Sequence, residues 1–262
     1  MNKQQLASKI WESANKMRSK IEANEYKDYI LGFIFYKFLS ETELMRLKAS
    51  DFTDEQLPQL TEDNPDIVEF VQGECGYFIA YDNLFSTWVK QGNDFEISNV
   101  RDALSAFSRN INPAHRKVFD GIFDTLQTGL SKLGTDARSQ SKAARDLIYL
   151  IKDIPMDGRQ DYDVLGFIYE YLISNFAANA GKKAGEFYTP SEVSQLMSEI
   201  VAWHLQGREQ IKIYDPTSGS GSLLIHIGQA VARRNGNPDS IMYYAQELKA
   251  VSYTHLTLPT KA

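Results

Sequence analysis

The sequence contains little of what several large classes of protein require. Cys75 is the single cysteine among 262 residues, which excludes a disulfide within the chain and suits the reducing cytoplasm. No window approaches the roughly 18 uninterrupted apolar residues of a membrane span, and residues 1–13 contain no apolar signal segment. One cysteine and four scattered histidines do not form a metal-ligand pattern. We therefore expect a cytoplasmic protein with no metal centre and no membrane segment.

An excess of basic residues is also lacking. The chain has 28 Lys and Arg against 34 Asp and Glu, a formal net charge of −6. Proteins that bind duplex DNA on their own usually carry a basic surface that contacts the phosphates. If this chain acts on DNA, we expect another subunit to supply much of the contact.

The first part of the chain has helical patterns only. Apolar residues at Leu6, Ile10, Ala14, Met17 and Ile21 form one helical face. Residues 26–47 are apolar on more than one face, which predicts a helix at the centre of a bundle.

Connections are predicted by polar composition. Residues 50–73 are acidic and predict a connection with a short helix near 66–72, and residues 135–141 are polar and predict a loop. Further predicted helices are 84–91, 97–109, 115–126 and 142–152. We interpret residues 1–155 as an all-α domain.

A different pattern follows. Helices are predicted at 161–178 and 191–205, the second with Thr189 as its N-cap. Residues 211–214 then read as a strand, 216–221 as a glycine loop, 222–234 as a helix and 240–246 as a second strand. Strand, loop, helix and strand in this order are typical of the opening unit of a parallel α/β sheet. The expected fold is thus an all-α domain followed by the first part of an α/β, Rossmann-like domain.

The glycine loop predicts a ligand site at the carboxyl edge of this sheet. Gly219 and Gly221 let backbone approach a ligand, the helix behind them offers free N–H groups, and Asp215 or Glu247 can bind ammonium or hydroxyl groups. Leu224 stands where a dinucleotide-binding fingerprint has its third glycine. The loop alone leaves methyltransferases, oxidoreductases and other nucleotide-binding proteins open.

A wider set of motifs is more specific. The segments GEFYTP (185–190), DPTSGSGS (215–222) and QE (246–247) follow one another at intervals of about thirty residues. This series resembles the adenine-specific DNA methyltransferases, above all the modification subunits of type I restriction–modification systems. The N-terminal segment MRSKIEANEYKDYILGFIFYKFLSE is similar to the helical domain of that family. The resemblance covers residues 1–249 and implies a class I methyltransferase domain that uses S-adenosylmethionine.

The resemblance also implies which residues bind the cofactor. The EFYTPS segment would contact it, the glycine loop would hold its methionine part, and the acid after the second strand would bind its ribose. Carried over, these are Glu186, Phe187, Tyr188, Thr189, Pro190, Ser191, Asp215, Gly219, Ser220, Gly221, Ser222 and Glu247. The same resemblance implies a specificity subunit that supplies most DNA contacts, a restriction subunit, and a hetero-oligomer with two modification subunits.

One family motif has no match here. The family holds its flipped target adenine in an Asn-Pro-Pro-Phe/Tyr loop. No Asn-Pro-Pro tripeptide occurs in this sequence, so no catalytic residue is assigned. Residues 250–262 do not resemble the family's continuation, and we interpret them as a non-native tail rather than a divergent end. We therefore expect the methyltransferase domain, residues 156–249, to be incomplete and the chain to be inactive alone.

Two other functions compete with this interpretation. A nicotinamide-dependent oxidoreductase would have a third loop glycine and an acid about 20 residues beyond the loop, which Leu224 and the position of Glu247 disfavour. A non-catalytic module, in which the helical domain docks onto a partner, is the second alternative. His204 and His226 lie on predicted helices and are interpreted as packing or surface residues.

Overall fold

The computed structural model describes residues 1–17, 26–160, 164–176, 189–219, 221–235 and 241–246. The chain forms two compact units, Met1–Gly181 and Lys182–Ala262. We call them the helical unit and the α/β unit. None of the helices within the described ranges has the length and apolar character needed to cross a membrane.

The helical unit contains nine α-helices among its described residues. In chain order they are α1 Lys3–Met17, α2 Tyr26–Ala49, α3 Pro65–Cys75, α4 Phe85–Gln91, α5 Ile97–Arg109, α6 Arg116–Phe119, α7 Asp124–Gly129, α8 Ala137–Ile151 and α9 Val164–Phe176. Among the described residues of this unit, β-type backbone pairing is confined to one isolated antiparallel bridge, between Tyr77 and Ile111. The expected all-α character of the N-terminal part is therefore confirmed for its described residues.

Helix α2 lies at the centre of this unit, as its apolar faces predict. It packs against α1, α3, α4, α7, α8 and α9. The ring of Tyr36 stacks on Trp88 of α4, with centroids 4.7 Å apart and planes 8° apart. Burial on several sides explains why this helix has no single apolar stripe.

Two ionisable residues of α2 are also buried. Lys37 donates a hydrogen bond of 2.7 Å to the carbonyl oxygen of Ile154 and pairs with Glu41. Glu43 Oε2 accepts the N–H of Ile79 at 2.9 Å, while its Oε1 is buried without a hydrogen-bond partner. Burial raises the pKa of Glu43 well above its usual value, and the Ile79 N–H opposes that shift.

Two predictions in this unit are wrong. The helix predicted at 115–126 is broken into α6 and α7 by a turn at Gly121, which has a φ of +73°. Residues 135–141 are not a loop, because α8 begins at Ala137. Asp136 caps this helix by accepting the N–H of Ser139 at 2.8 Å, and Ser139 caps Asp136 in return.

The α/β unit consists of α10 Ser191–His204, β1 Ile211–Asp215, α11 Ser222–Asn235 and β2 Ile241–Ala245. The two strands are parallel, with Ile211 opposite Ile241 and Asp215 opposite Ala245. The predicted fold class, all-α followed by the beginning of an α/β domain, is confirmed. Thr189 is not the N-cap of α10: Pro190 holds that position, without a side-chain hydrogen bond.

The core of the α/β unit is small. Its buried apolar residues are Ala202, Ile211, Ile227, Ala230, Val231 and Ile241. They come from both helices and both strands, which therefore share this core. The domain boundary predicted after residue 155 stays a prediction; α9, which follows it, packs on α1 and α2 of the helical unit.

Candidate functional site

The candidate site begins where β1 ends. Asp215 is the last residue of the strand, and its carboxylate Oδ1 accepts the N–H of Thr217 at 3.0 Å. Its main-chain oxygen accepts the N–H of Gln246 at 2.9 Å. The hydroxyl of Tyr214 donates to the Gln246 side-chain oxygen at 2.7 Å. The carboxyl ends of the two strands are therefore joined at one edge of the sheet.

Ser218 ties the glycine loop to this edge. Its N–H and its hydroxyl both donate to the main-chain oxygen of Gln246, at 3.0 and 3.3 Å. Its own carbonyl oxygen accepts the N–H of Gly221 at 2.7 Å. The side chain is buried. No role is predicted for Ser218 from the sequence, because nothing distinguishes it from the two other serines of the DPTSGSGS segment.

The loop glycines occupy conformations that other residues rarely adopt. Gly219 has a φ of +54° and Gly221 a φ of +76°. A Cβ placed on Gly219 would have no atom of the described residues within 4 Å. The described residues therefore leave space at Gly219 where a ligand could approach the backbone.

Helix α11 starts directly after the loop. Its first residue is Ser222, and the N–H of Ile225 donates to the carbonyl oxygen of Gly221 at 3.0 Å. The first N–H groups of a helix have no partner within it, and the helix dipole makes this end electropositive. This end of α11 suits a carboxylate or another anion.

Helix α10 runs beside α11 in the same direction. A hydrogen bond of 2.8 Å joins Ser194 Oγ of α10 to His226 Nδ1 of α11. Further along both helices, Glu199 of α10 forms ion pairs of 2.6 Å with Arg233 and Arg234 of α11. Because these contacts occur in the same order along both helices, α10 and α11 are parallel and have their N-termini at the same end. Pro190, which precedes α10, therefore lies toward the edge of the sheet that carries the glycine loop.

The structure brings part of the predicted site together. Asp215 ends β1, Gly219 and Gly221 lie in the glycine loop and Ser222 begins α11, while Thr189 and Pro190 are exposed at the start of α10, whose first residue is Ser191. The remaining predicted residues lie outside the described residues. They are Glu186, Phe187, Tyr188, Ser220 and Glu247. The tail expected at 250–262 also lies outside them and stays a prediction.

Comparison with protein families matches both parts of the chain. A sequence model described as the HsdM N-terminal domain matches residues 6–151, more than half of the chain. A second, described as N-6 DNA Methylase, matches residues 160–258.

Individual relatives agree with the families. The chain is 29% identical over 261 residues to the methylase subunit of the type I restriction enzyme MpnII of Mycoplasma pneumoniae, covering 94% of this chain and 47% of that protein. It is 23% identical to the MjaIX methylase subunit of Methanocaldococcus jannaschii, covering 94% and 43%. The chain thus spans about half the length of the curated relatives it matches.

A solved structure is also similar. The crystal structure of the type I restriction–modification system methyltransferase subunit from Streptococcus thermophilus superposes with a TM-score of 0.76 and 31% identity. The match covers 98% of this chain and 55% of that one. The likeness extends through both the helical unit and the α/β unit.

Proposed function

Since this chain belongs to the family of type I restriction–modification methylase subunits, we propose that it binds S-adenosylmethionine for methylation of adenine N6 in DNA. The observation that carries this proposal is the glycine loop between Asp215 and Ser222, where no described atom occupies the Cβ position of Gly219 close to the start of α11. S-adenosylmethionine supplies a methyl group already activated by a sulfonium sulfur, so positioning matters more than acid–base catalysis.

The described residues fit the methionine end of this cofactor. The first N–H groups of α11 favour an anion. S-adenosylmethionine has no phosphate, so the anion expected at this position is its methionyl carboxylate. Gly219 and Gly221 allow close backbone approach, and the Asp215 carboxylate shapes the loop through Thr217. These residues would bind and orient the cofactor.

The remaining predicted contacts complete the proposal. Thr189, Pro190 and Ser191 would lie over the cofactor as the end of the EFYTPS segment, together with Glu186, Phe187 and Tyr188. Ser220 and Ser222 would contact it at the loop. Glu247 follows Gln246 at the carboxyl end of β2, where nucleotide-type cofactors place their ribose.

The negative net charge supports a complex in which a different subunit makes most of the DNA contacts. With a net charge of −6, the chain lacks the basic surface typical of an independent duplex binder. We propose that a specificity subunit supplies most DNA contacts, within a cytoplasmic complex of two methylase subunits that also engages a restriction subunit.

The oxidoreductase alternative has no support from the comparisons, whose matches are methylases. The structure adds a physical reason. Leu224, at the place of the third fingerprint glycine, is a buried side chain. Leu224 therefore fills space that a glycine at this position would leave for close packing of helix on strand.

Isothermal titration of the 262-residue chain tests the proposal directly. We expect S-adenosylmethionine to bind at one site and NAD to give no heat of binding. Gly219→Ala should weaken S-adenosylmethionine binding about tenfold or more, because a Cβ strains a left-handed backbone and enters the open space.

Gly207→Ala is the matched control. Gly207 has a φ of +76° and equally open surroundings, but it precedes β1 and so lies at the opposite end of that strand. Its substitution should cost similar backbone strain and leave the affinity unchanged. Equal weakening by both variants, or no binding by the wild-type chain, would refute the proposed site.

A further inference from the structure

Ser194 has hydrogen bonds on two sides of the start of α10. Its N–H donates to the carbonyl oxygen of Pro190 at 3.0 Å, and its hydroxyl shares the 2.8 Å hydrogen bond with His226 Nδ1. Ser194 is fully buried. It therefore links a residue of the proposed cofactor segment to the neighbouring helix.

His226 has the corresponding place on α11. It is the fifth residue of that helix, one turn after Ser222, and the preceding residue, Ile225, donates its N–H to Gly221. The Ser194–His226 bond thus lies within about one helical turn of both Pro190 and the glycine loop. On one side the first turn of α10 connects this bond to Pro190, and on the other side the first turn of α11 connects it to the glycine loop.

The apolar contacts of this unit are of a different kind. Ala202, Val201, Leu223 and Ile227 contribute apolar packing between the elements of this unit, and such packing is non-directional. A hydrogen bond between a buried hydroxyl and an imidazole has a defined length and angle. It can therefore fix how far one helix has slid along the other, as the ion pairs of Glu199 also can, but unlike those pairs it lies at the end that carries the glycine loop.

We propose that Ser194 and His226 are positioning residues, which hold the segment ending at Pro190 in register with the glycine loop so that both contact one cofactor. The inference rests on the proposed function, because the cofactor is what makes the register matter. Neither side chain needs to touch the cofactor or take part in methyl transfer.

Titration of variants of the 262-residue chain with S-adenosylmethionine tests the inference. Ser194→Ala and His226→Leu should each raise the dissociation constant about tenfold, and the double variant should be little worse than either, because both remove the same bond. His226→Asn keeps a polar atom near the position of Nδ1 and should restore most of the affinity.

Ser198→Ala is the matched control for burial. Ser198 is a buried serine of the same helix, but its hydroxyl donates to the carbonyl oxygen of Ser194 within α10, at 2.6 Å. We expect this variant to lower the thermal midpoint about as much as Ser194→Ala while leaving the affinity near that of the wild type. Equal affinity losses for both serine variants would overturn the positioning role.

Hydrogen exchange without ligand separates this inference from the proposed function. Ser194→Ala and His226→Leu should speed exchange of the backbone amides in residues 216–222, whereas Ser198→Ala should not. If the wild-type chain fails to bind S-adenosylmethionine, the proposed function fails while this measurement still tests the register. Unchanged exchange in all three variants would overturn the inference.

Discussion

The helical unit and the α/β unit contain similar apolar side chains but bury them differently. In the helical unit one continuous cluster runs from Leu6 to Leu172 and includes buried aromatic rings from four helices, α2, α4, α5 and α6. The α/β unit has only a small cluster around Ile211 and Ile227. Because stabilisation grows with apolar area removed from water, the helical unit has far more of it.

The exposed side chains show the same contrast. Among the described residues, large apolar side chains exposed in the helical unit are Met1, Met45, Phe70 and Tyr149. Those exposed in the shorter α/β unit are Val193, Leu196, Met197, Ile200 and Trp203 on α10, and Tyr214, Met242, Tyr243 and Tyr244 on the strands. The same substitution should therefore have different effects in the two units.

The largest expected difference concerns two tryptophans. Trp88 is buried against Tyr36, whereas Trp203 is 61% exposed. Trp88→Ala should lower the free energy of unfolding of the helical unit by about 3–5 kcal/mol, because it leaves a cavity. Trp203→Ala should change stability by less than about 0.5 kcal/mol. Chemical denaturation followed by hydrogen exchange in each unit measures both, and comparable losses would contradict the contrast.

Two glycines beneath tyrosine rings sharpen the comparison. A Cβ on Gly129 would lie 2.6 Å from the hydroxyl oxygen of Tyr29 and 2.7 Å from its Cε1, and one on Gly228 would lie 2.1 Å from the hydroxyl oxygen of Tyr243. Tyr29 is 4% exposed and donates to the Gly129 carbonyl at 2.9 Å, so its ring cannot move away freely. Gly129→Ala should cost about 1–3 kcal/mol.

Gly228→Ala should cost less. Tyr243 is 36% exposed, so its hydroxyl end can move toward solvent, and alanine gains up to about 1 kcal/mol of helix propensity over glycine. Tyr243→Phe should recover stability in the Gly228→Ala background, whereas Tyr29→Phe should recover little in Gly129→Ala, because Cε1 remains. Thermal unfolding of the single and double variants decides this.

The last comparison concerns pH dependence, which is expected to have opposite signs in the two units. The folded pKa of Glu43 is raised by burial above its ordinary 4.5, so above pH 4.5 the folded state holds a proton that the unfolded state has lost. Stability of the helical unit should then fall as pH rises from 4.5 toward the folded pKa. Glu43→Gln should flatten that slope in denaturation between pH 5 and 8.

Glu199 provides the opposite case. Hydrogen bonds from Arg234 and Arg233 lower the pKa of its carboxyl below the ordinary 4.5. Its contribution is present above pH 4.5 and is lost as pH falls through the lowered pKa. The group is exposed, so the change should be small and should shrink with added salt. A Glu199→Gln variant that abolished the slope attributed to Glu43 would refute this assignment.

Periodicity was sufficient to predict most elements of both units. Helix α5 occupies the predicted residues 97–109, and both strands agree within one residue at each end. The start of α8 was missed because residues 137–142 are mostly polar and show no apolar stripe, although Asp136 and Ser139 had the spacing of a capping box. The break at Gly121 was missed because one glycine does not by itself end an apolar pattern.

The site was predicted from motifs, and its internal support was not. Asp215, Gly219 and Gly221 are recognisable in the sequence because their order along the chain carries the pattern. Ser218 and the Ser194–His226 pair depend on contacts between residues about 30 positions apart. The same holds for burial of Glu43, since only packing around α2 determines which of its polar side chains lose solvent.

The exposed indole of α10 makes the α/β unit separately visible in solution. Trp203 is the one tryptophan of residues 182–262, and Trp11 and Trp88 are in the helical unit. Replacing those two by phenylalanine would leave a chain whose intrinsic fluorescence comes from α10 alone. Its emission would begin at the long wavelengths of a hydrated indole, and a subunit covering this helix would register as a blue shift during titration.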